Sequence, residues 1–483
     1  MSTERPNLVF LMPDQLRPDF LGCYGGRSVE TPNIDALAER GVRFGSAYSL
    51  HPVCVPARAS LMLGMHALRT GVLDNTHWIR PDYRACGLAT WPELLAERGY
   101  YTAAIGKMHF YPWDARHGFQ YRAIAEDKRW LHVRDDYFHF LHAQGHRKYH
   151  GNEHAGYFEN KGAIVNLLPW EMQVDHWVGE EACRFIERHG QAGPFAMMVG
   201  FPGPHCPYDP CGEFLDDVDV GELPEPVPNA GNTPLLREQT IASNKRPWNG
   251  VDHSEFTRDQ KMRVRAHYAA EVRQIDRMVG RIVDTLRDHG LADNTAIVFA
   301  SDHGDALGDQ DLIGKSTYFQ SSFQVPMIVA TPGAVATVRD DLVTLTDVTA
   351  TLLRLGGADV PHHMDSRPLP GVGLDGTTGR APEALIGALA GGWMIQDGPW
   401  RLAKYSTGEV LLFNLREDPL EQRNRVADPA CLPVFRDLDA RLTQAVMAGV
   451  SSSHFALQIG GADLSQSAEF GREGWTRVYP NLV

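Results

Sequence analysis

The feature that most restricts the fold of this chain is a series of short, almost wholly apolar runs separated by helical stretches. Runs at 8–12, 103–106, 195–200, 295–300 and 326–330 show no in-out alternation, and amphipathic segments such as 33–40 and 260–287 lie between them. A strand that is apolar on both faces is covered on both faces, so the pattern predicts an α/β sandwich with a large mixed, mostly parallel sheet between helices. Open sheets of this kind hold ligands just past the C-terminal ends of their strands. Asp14 and Asp302 stand at such positions, after the runs at 8–12 and 295–300.

With 483 residues, one large domain plus a smaller appendage is expected. Residues 1–357 are expected to form the large domain. It is interrupted by an aromatic- and histidine-rich insertion at about 111–173 and by a polar excursion at 222–252. A smaller C-terminal subdomain at 358–450 carries apolar runs at 400–405 and 410–414 and a helix at 433–447, the pattern of a small antiparallel sheet closed by a helix. Residues 451–483 are polar with spaced aromatics and read either as a disordered tail or as an arm on a neighbouring subunit; the second reading sets the expectation of a homo-oligomer. The net charge of −14 excludes a main role in gripping nucleic acid, although an anionic substrate requires a local basic pocket. The first apolar run leads straight into a polar motif, so it reads as a strand and not as a signal peptide or membrane span. Seven scattered cysteines without a CxxC pair argue against a disulfide framework and for a cytoplasmic enzyme.

Chemistry concentrates in Cys54-Val-Pro-Ala-Arg58. A proline two residues on sets the turn, and a cation four residues on favours charge on an attacking group. An isolated cysteine is nevertheless more often a buried thiol. The stretch resembles the C-x-P-x-R signature of the sulfatase family of the alkaline phosphatase superfamily, in which the cysteine becomes formylglycine. It departs from the usual pattern at Val55 and Leu63, neither of which alters Cys54, Pro56 or Arg58. A second resembling stretch, Gly99-Tyr-Tyr-Thr-Ala-Ala-Ile-Gly-Lys-Met-His109, follows at the expected separation. Pro13-Asp14-Gln15, Pro204-His205, Ser301-Asp302-His303-Gly304-Asp305 and Gly314-Lys315 stand in family order, so the likeness covers roughly the first 330 residues.

The resemblance implies an alkaline-phosphatase-like fold and a sulfuric ester hydrolase acting on a small anionic ester. It implies a divalent metal on Asp14, Asp302, His303 and an oxygen of modified Cys54, with Gln15 as a further amide ligand. Many relatives have Asn in place of His303 and Asp in place of Gln15, which makes Mn²⁺ a competitor to Ca²⁺. A hydrated aldehyde offers two hydroxyls on one carbon, one to attack sulfur and one to expel sulfate. By the same resemblance Arg58 and Lys107 hold the nucleophile's oxyanion, His205, Lys315 and the metal hold the sulfate oxygens, and His109 accepts the second hydroxyl's proton. His205 or Lys315 protonates the leaving oxygen. Asn75 stands where related phosphonate-ester hydrolases place a substrate-binding Asn. A formylglycine-generating maturation enzyme is the implied partner.

Two other features compete for attention. His139, His142, His146 and His150 fall at helical spacing, but without a carboxylate or cysteine partner a polar surface or pocket mouth explains them better than zinc. Trp78, Trp113, Trp130 and Tyr137 are candidates to surround the non-sulfate part of a substrate, in the manner of choline sulfatases, although core packing accounts for most aromatics. Three functions are thus in play: a sulfate monoesterase, a phosphonate monoester or phosphodiester hydrolase with the same site, and an inactive binding homologue.

Overall fold

The computed structural model describes residues 5–374 and 384–457, with the backbone alone for 453–457. Its strands are β1 (Asn7–Pro13), β2 (Val42–Phe44), β3 (Ala47–Tyr48), β4 (Tyr101–Gly106), β5 (Tyr121–Ile124), β6 (Phe195–Phe201), β7 (Thr295–Ala300), β8 (Met327–Ala330), β9 (Thr337–Arg339), β10 (Val343–Thr344), β11 (Leu385–Leu389), β12 (Gly392–Asp397), β13 (Trp400–Tyr405) and β14 (Val410–Asn414). Eight of them form one sheet in the order β5-β4-β6-β1-β7-β8-β2-β9. All pairings in it are parallel except those made by β8, which runs against both β7 and β2.

The unbroken apolar runs are explained by the two cores. Val9 and Leu11 of β1 enter the core made with the helices Val174–His189 and Arg258–Asp288, while Leu8, Phe10 and Met12 enter the opposite core with Cys54–Leu63 and Asp347–Leu355. Because successive side chains point to opposite faces, a strand covered on both sides must be apolar at every position. This is the expected mostly parallel sandwich.

The small sheet is the antiparallel meander β11-β12-β13-β14, closed by the helix Leu432–Leu457. Two of its strands, β11 and β12, had no apolar run strong enough to predict them. The insertion is also less separate than its composition suggests: Tyr121–Ile124 joins the large sheet beside β4, and Asp136–Ala143 is a helix. Most of the proposed oligomerisation arm, from 458 onward, lies outside the described residues. Among the described residues no helix is long and apolar enough to cross a membrane.

Candidate active site

The site forms at the C-terminal edge of the central strands. β1 and β7 are parallel neighbours, so their ends bring Asp14 and Asp302 together from distant parts of the chain. The Asp14 N–H donates to the carbonyls of Phe201 and Gly203, tying the end of β1 to the segment after β6 that carries His205. Cys54 is the first residue of the helix Cys54–Leu63 and Arg58 follows one turn later on the same side. Asn75 accepts the Val55 N–H through Oδ1 at 3.0 Å, so its side-chain carbonyl serves this helix start. Lys107 and His109 follow β4, and Lys315 comes from the loop beyond β7.

Arg58 organises the carboxylates. Its Nε donates to Asp302 Oδ2 at 2.9 Å and its NH2 to Asp14 Oδ2 at 3.0 Å. The other oxygen of each faces His303: Nε2 lies 3.7 Å from Asp14 Oδ1 and from Asp302 Oδ1, and 3.3 Å from Cys54 Sγ. His303 Nδ1 donates to the Gly304 carbonyl at 2.9 Å, which turns Nε2 toward these oxygens. Asp14, Cys54, Asp302 and His303 therefore present four buried ligand atoms within 4.8 Å of one another, the one such group among the described residues. Carboxylate oxygens with one imidazole nitrogen suit a divalent cation of the Mn²⁺ or Ca²⁺ class.

Cations ring this cluster. Lys107 Nζ is 2.9 Å from Asp14 Oδ2, and Lys315 Nζ is 2.8 Å from Cys54 Sγ, 2.7 Å from His205 Nε2 and 3.0 Å from Gln15 Oε1. Burial alone would raise the Cys54 thiol, but Lys315, Lys107 and His303 hold it well below the ordinary range. Burial likewise pushes the Asp14 carboxyl up, as does Cys54, yet Lys107, His205 and Lys315 bring it below the usual carboxylate range. Burial, reinforced by Lys315 and Arg129, lowers His205 to about 3. His205 is thus neutral, donating from Nδ1 to the Cys206 carbonyl and accepting the Lys315 ammonium at Nε2.

All six expected catalytic residues and all four expected metal ligands meet in this one region. Gln15 does not join the ligand cluster: its amide oxygen accepts Lys315 and its Nε2 donates to Asp305. His139, His142, His146 and His150 are not among the metal-ligand groups found in the described residues. Of the four aromatics, Trp78 and Trp113 gather with Tyr111 around His109, whereas Tyr137 is buried in the core against Trp177.

Sequence reasoning missed the run Glu126-Asp127-Lys128-Arg129. Glu126 accepts the N–H of His109, whose backbone lies in the left-handed region at φ 59°, and Asp127 contacts Lys107 at 3.4 Å. The available signal was four consecutive charges, a pattern that more often marks a solvated loop.

The model of the family described as Sulfatase matches residues 6–358. The chain is 30% identical over 467 residues to a choline-sulfatase of Rhizobium meliloti, covering 91% of this chain and 87% of the relative. It is 28% identical over 456 residues to an arylsulfatase of Clostridium perfringens, covering 87% and 90%. Among solved structures, the phosphonate monoester hydrolase of Agrobacterium radiobacter superposes with a TM-score of 0.77 over 92% of this chain and 96% of that one, at 21% identity, which speaks for a shared fold. Ordered motifs, a buried carboxylate–imidazole cluster beneath a thiol, and a matching family model over most of the length lead to one conclusion: the chain belongs to the sulfatase family.

Proposed function

We propose that the protein hydrolyses small sulfate monoesters at Cys54. The observation that carries this is the convergence of Asp14, Asp302, His303 and Cys54 inside a ring of Arg58, Lys107, His205 and Lys315. When present, formylglycine made from Cys54 by a maturation enzyme supplies a nucleophilic oxygen in place of the thiol, and a divalent cation, Ca²⁺ or Mn²⁺, supplies Lewis-acid charge. Asp14, Asp302 and His303 would hold that cation. Arg58 and Lys107 fix the carboxylates and set a positive field at position 54, and Lys315, oriented by its bond to His205 Nε2, binds the sulfate oxygens as charge moves onto them. His109, held through its backbone by Glu126, accepts a proton at position 54. Asn75, whose Oδ1 accepts the Val55 N–H, keeps its amide nitrogen for the ester in this reading.

The same charge pattern suits a phosphonate monoester, a second reading that the Gln15 and His303 pair allows, whereas Lys107 and His109 favour the sulfate ester. A comparison of kcat/KM on an aryl sulfate, an aryl phosphonate monoester and choline sulfate separates the two. A sulfate ester is expected to lead, and a phosphonate lead of orders of magnitude would reverse the assignment. Mass spectrometry of the Cys54 peptide from protein made with a maturation enzyme is expected to show the aldehyde; a plain thiol in highly active protein would end the formylglycine proposal.

A further inference from the structure

The charged run after β5 sends its side chains in different directions. Lys128 turns away, to Asp209 and Glu271. Arg129 folds back onto Asp127 in a two-pronged contact, Nε to Oδ1 at 2.8 Å and NH2 to Oδ2 at 2.5 Å, and its guanidinium lies 4.7 Å from the ring centroid of Trp248. Two nitrogens and one face are therefore immobilised, the arrangement for which Arg is suited and Lys is not.

Among the described residues the third nitrogen, NH1, has one hydrogen-bond partner, the Cys206 sulfur, at 3.7 Å. A thiol is a weak acceptor, and burial pushes this one up to about 11, so it stays neutral. Cys206 is half-buried and adjoins His205, which places the NH1 edge beside the group that Lys315 contacts. Arg129 is also close enough for its charge to act on both His205 and Cys54. Asp127 does not cancel that charge, because the same carboxylate also faces Lys107. A preorganised cation at the rim, with one donor group spare and half a counter-ion, is built to receive an anion.

We propose that Arg129 is a specificity-determining residue: through NH1 it binds a carboxylate on the alcohol part of the ester, so that preferred substrates carry a second negative charge. This rests on the hydrolase reading above. It assigns the organic half of the substrate to the side of the site formed by Arg129 and Trp248.

The test uses the full-length, matured protein with 3-carboxyphenyl sulfate and its uncharged carboxamide. The readout is the ratio of their kcat/KM values, compared between the unaltered enzyme and Arg129→Met, so that intrinsic differences between leaving groups cancel. A charge-assisted hydrogen bond predicts that the ratio falls about 10- to 100-fold in the variant. An unchanged ratio, with both rates reduced alike, would show that Arg129 only braces Asp127 and would overturn the proposal. If the variant fails to fold, inhibition of the unaltered enzyme decides: 3-hydroxybenzoate is expected to inhibit about tenfold more tightly than 3-hydroxybenzamide, and equal inhibition would refute the proposal. Turnover of aryl phosphonates but of neither sulfate would count against the sulfatase assignment alone, and the corresponding pair of phosphonate esters then reports on Arg129.

Discussion

At the scale of single residues, the division of labour between His205 and Lys315 is set by hydrogen bonding. His205 donates from Nδ1 to a carbonyl and accepts from Lys315 at Nε2, and with its ionisation lowered to about 3 it carries no proton to give near neutrality. In the mechanism proposed above, Lys315 and not His205 is therefore assigned as the proton source for the leaving oxygen. Lys315→Ala is expected to lower kcat about 10²- to 10⁴-fold for esters with basic leaving groups and much less for 4-nitrophenyl esters. Rates measured across a series of leaving groups check this, and a steeper dependence in His205→Ala than in Lys315→Ala would reassign the acid. The cation pocket supports a second expectation. Asp14 Oδ1 and Asp302 Oδ1 both face His303 at 3.7 Å, so like charges converge when nothing lies between them. Bound metal stabilises the native state by mass action. A chelator should lower Tm, and adding back Mn²⁺ or Ca²⁺ should restore it in a concentration-dependent way; an unchanged Tm with no metal by elemental analysis before and after would argue that no cation is held.

At the scale of elements, strands and helices aim the site through a few close contacts. Gly106 ends β4 with φ 85°, and a methyl group there would stand 2.2 Å from the Gly200 carbonyl oxygen on β6. The left-handed backbone and the forced separation of two central strands together predict a loss of about 2 to 4 kcal/mol for Gly106→Ala, with Lys107 displaced. Denaturant unfolding measures the first effect and kcat the second. A helix start provides a pH-dependent counterpart. Asp276, on the long helix Arg258–Asp288, accepts the N–H groups of Asn33 and Ile34 at 3.0 and 2.8 Å. Burial raises its carboxyl from 3.8 to about 6 despite those bonds. With the folded value above the unfolded one, the proton-linked contribution to stability is complete below about pH 4 and is lost as pH rises through about 6. Asp276→Asn should flatten stability against pH across that window. It should also cost about 1 to 3 kcal/mol at neutral pH, because one of the two acceptor oxygens becomes a donor. Parallel pH-dependent slopes in the two proteins would show that Asp276 is not the source.

At the scale of the whole molecule, the small sheet closes over the loop that carries Lys315. Arg401 of β13 is almost fully buried and bonds Glu421 Oε1 at 2.6 Å, the Tyr318 carbonyl at 3.0 Å and Gln320 Oε1 at 2.6 Å. It thereby joins the C-terminal sheet to the segment directly after Lys315. Removing one partner leaves Glu421 buried without its counter-charge, so Arg401→Met is expected to destabilise by about 3 to 5 kcal/mol. The paired change Arg401→Met with Glu421→Leu should recover much of it. Thermal melts of the single and double variants test this, and additive losses would mean the pair is not coupled. The folding of the catalytic half was readable in advance because burial on both faces leaves no polar position in a strand. In the small sheet β12 is also covered on both faces, with Met394 and Ile395 in different cores, but β11 and β12 are only five and six residues long and contain glycines at 387 and 392, so their apolar signal was too weak to see.

What the sequence determined by itself were properties that repeat locally or that a motif holds at fixed spacing. These were the two-sided apolar strands, the fixed spacing of Cys54, Pro56 and Arg58, and the placement of Asp14 and Asp302 just past strand ends. Only the tertiary structure decided which groups meet across long separations. Gln15 could have faced a metal or a lysine, and it faces Lys315 and Asp305. The run from Glu126 to Arg129 could have been a solvated loop, and it is buried or nearly so, dividing its charges among His109, Lys107, Asp209 and the rim at Cys206. Charged side chains look alike in a sequence whether water or a protein partner solvates them, and the choice is made only when the sheet brings its strand ends together.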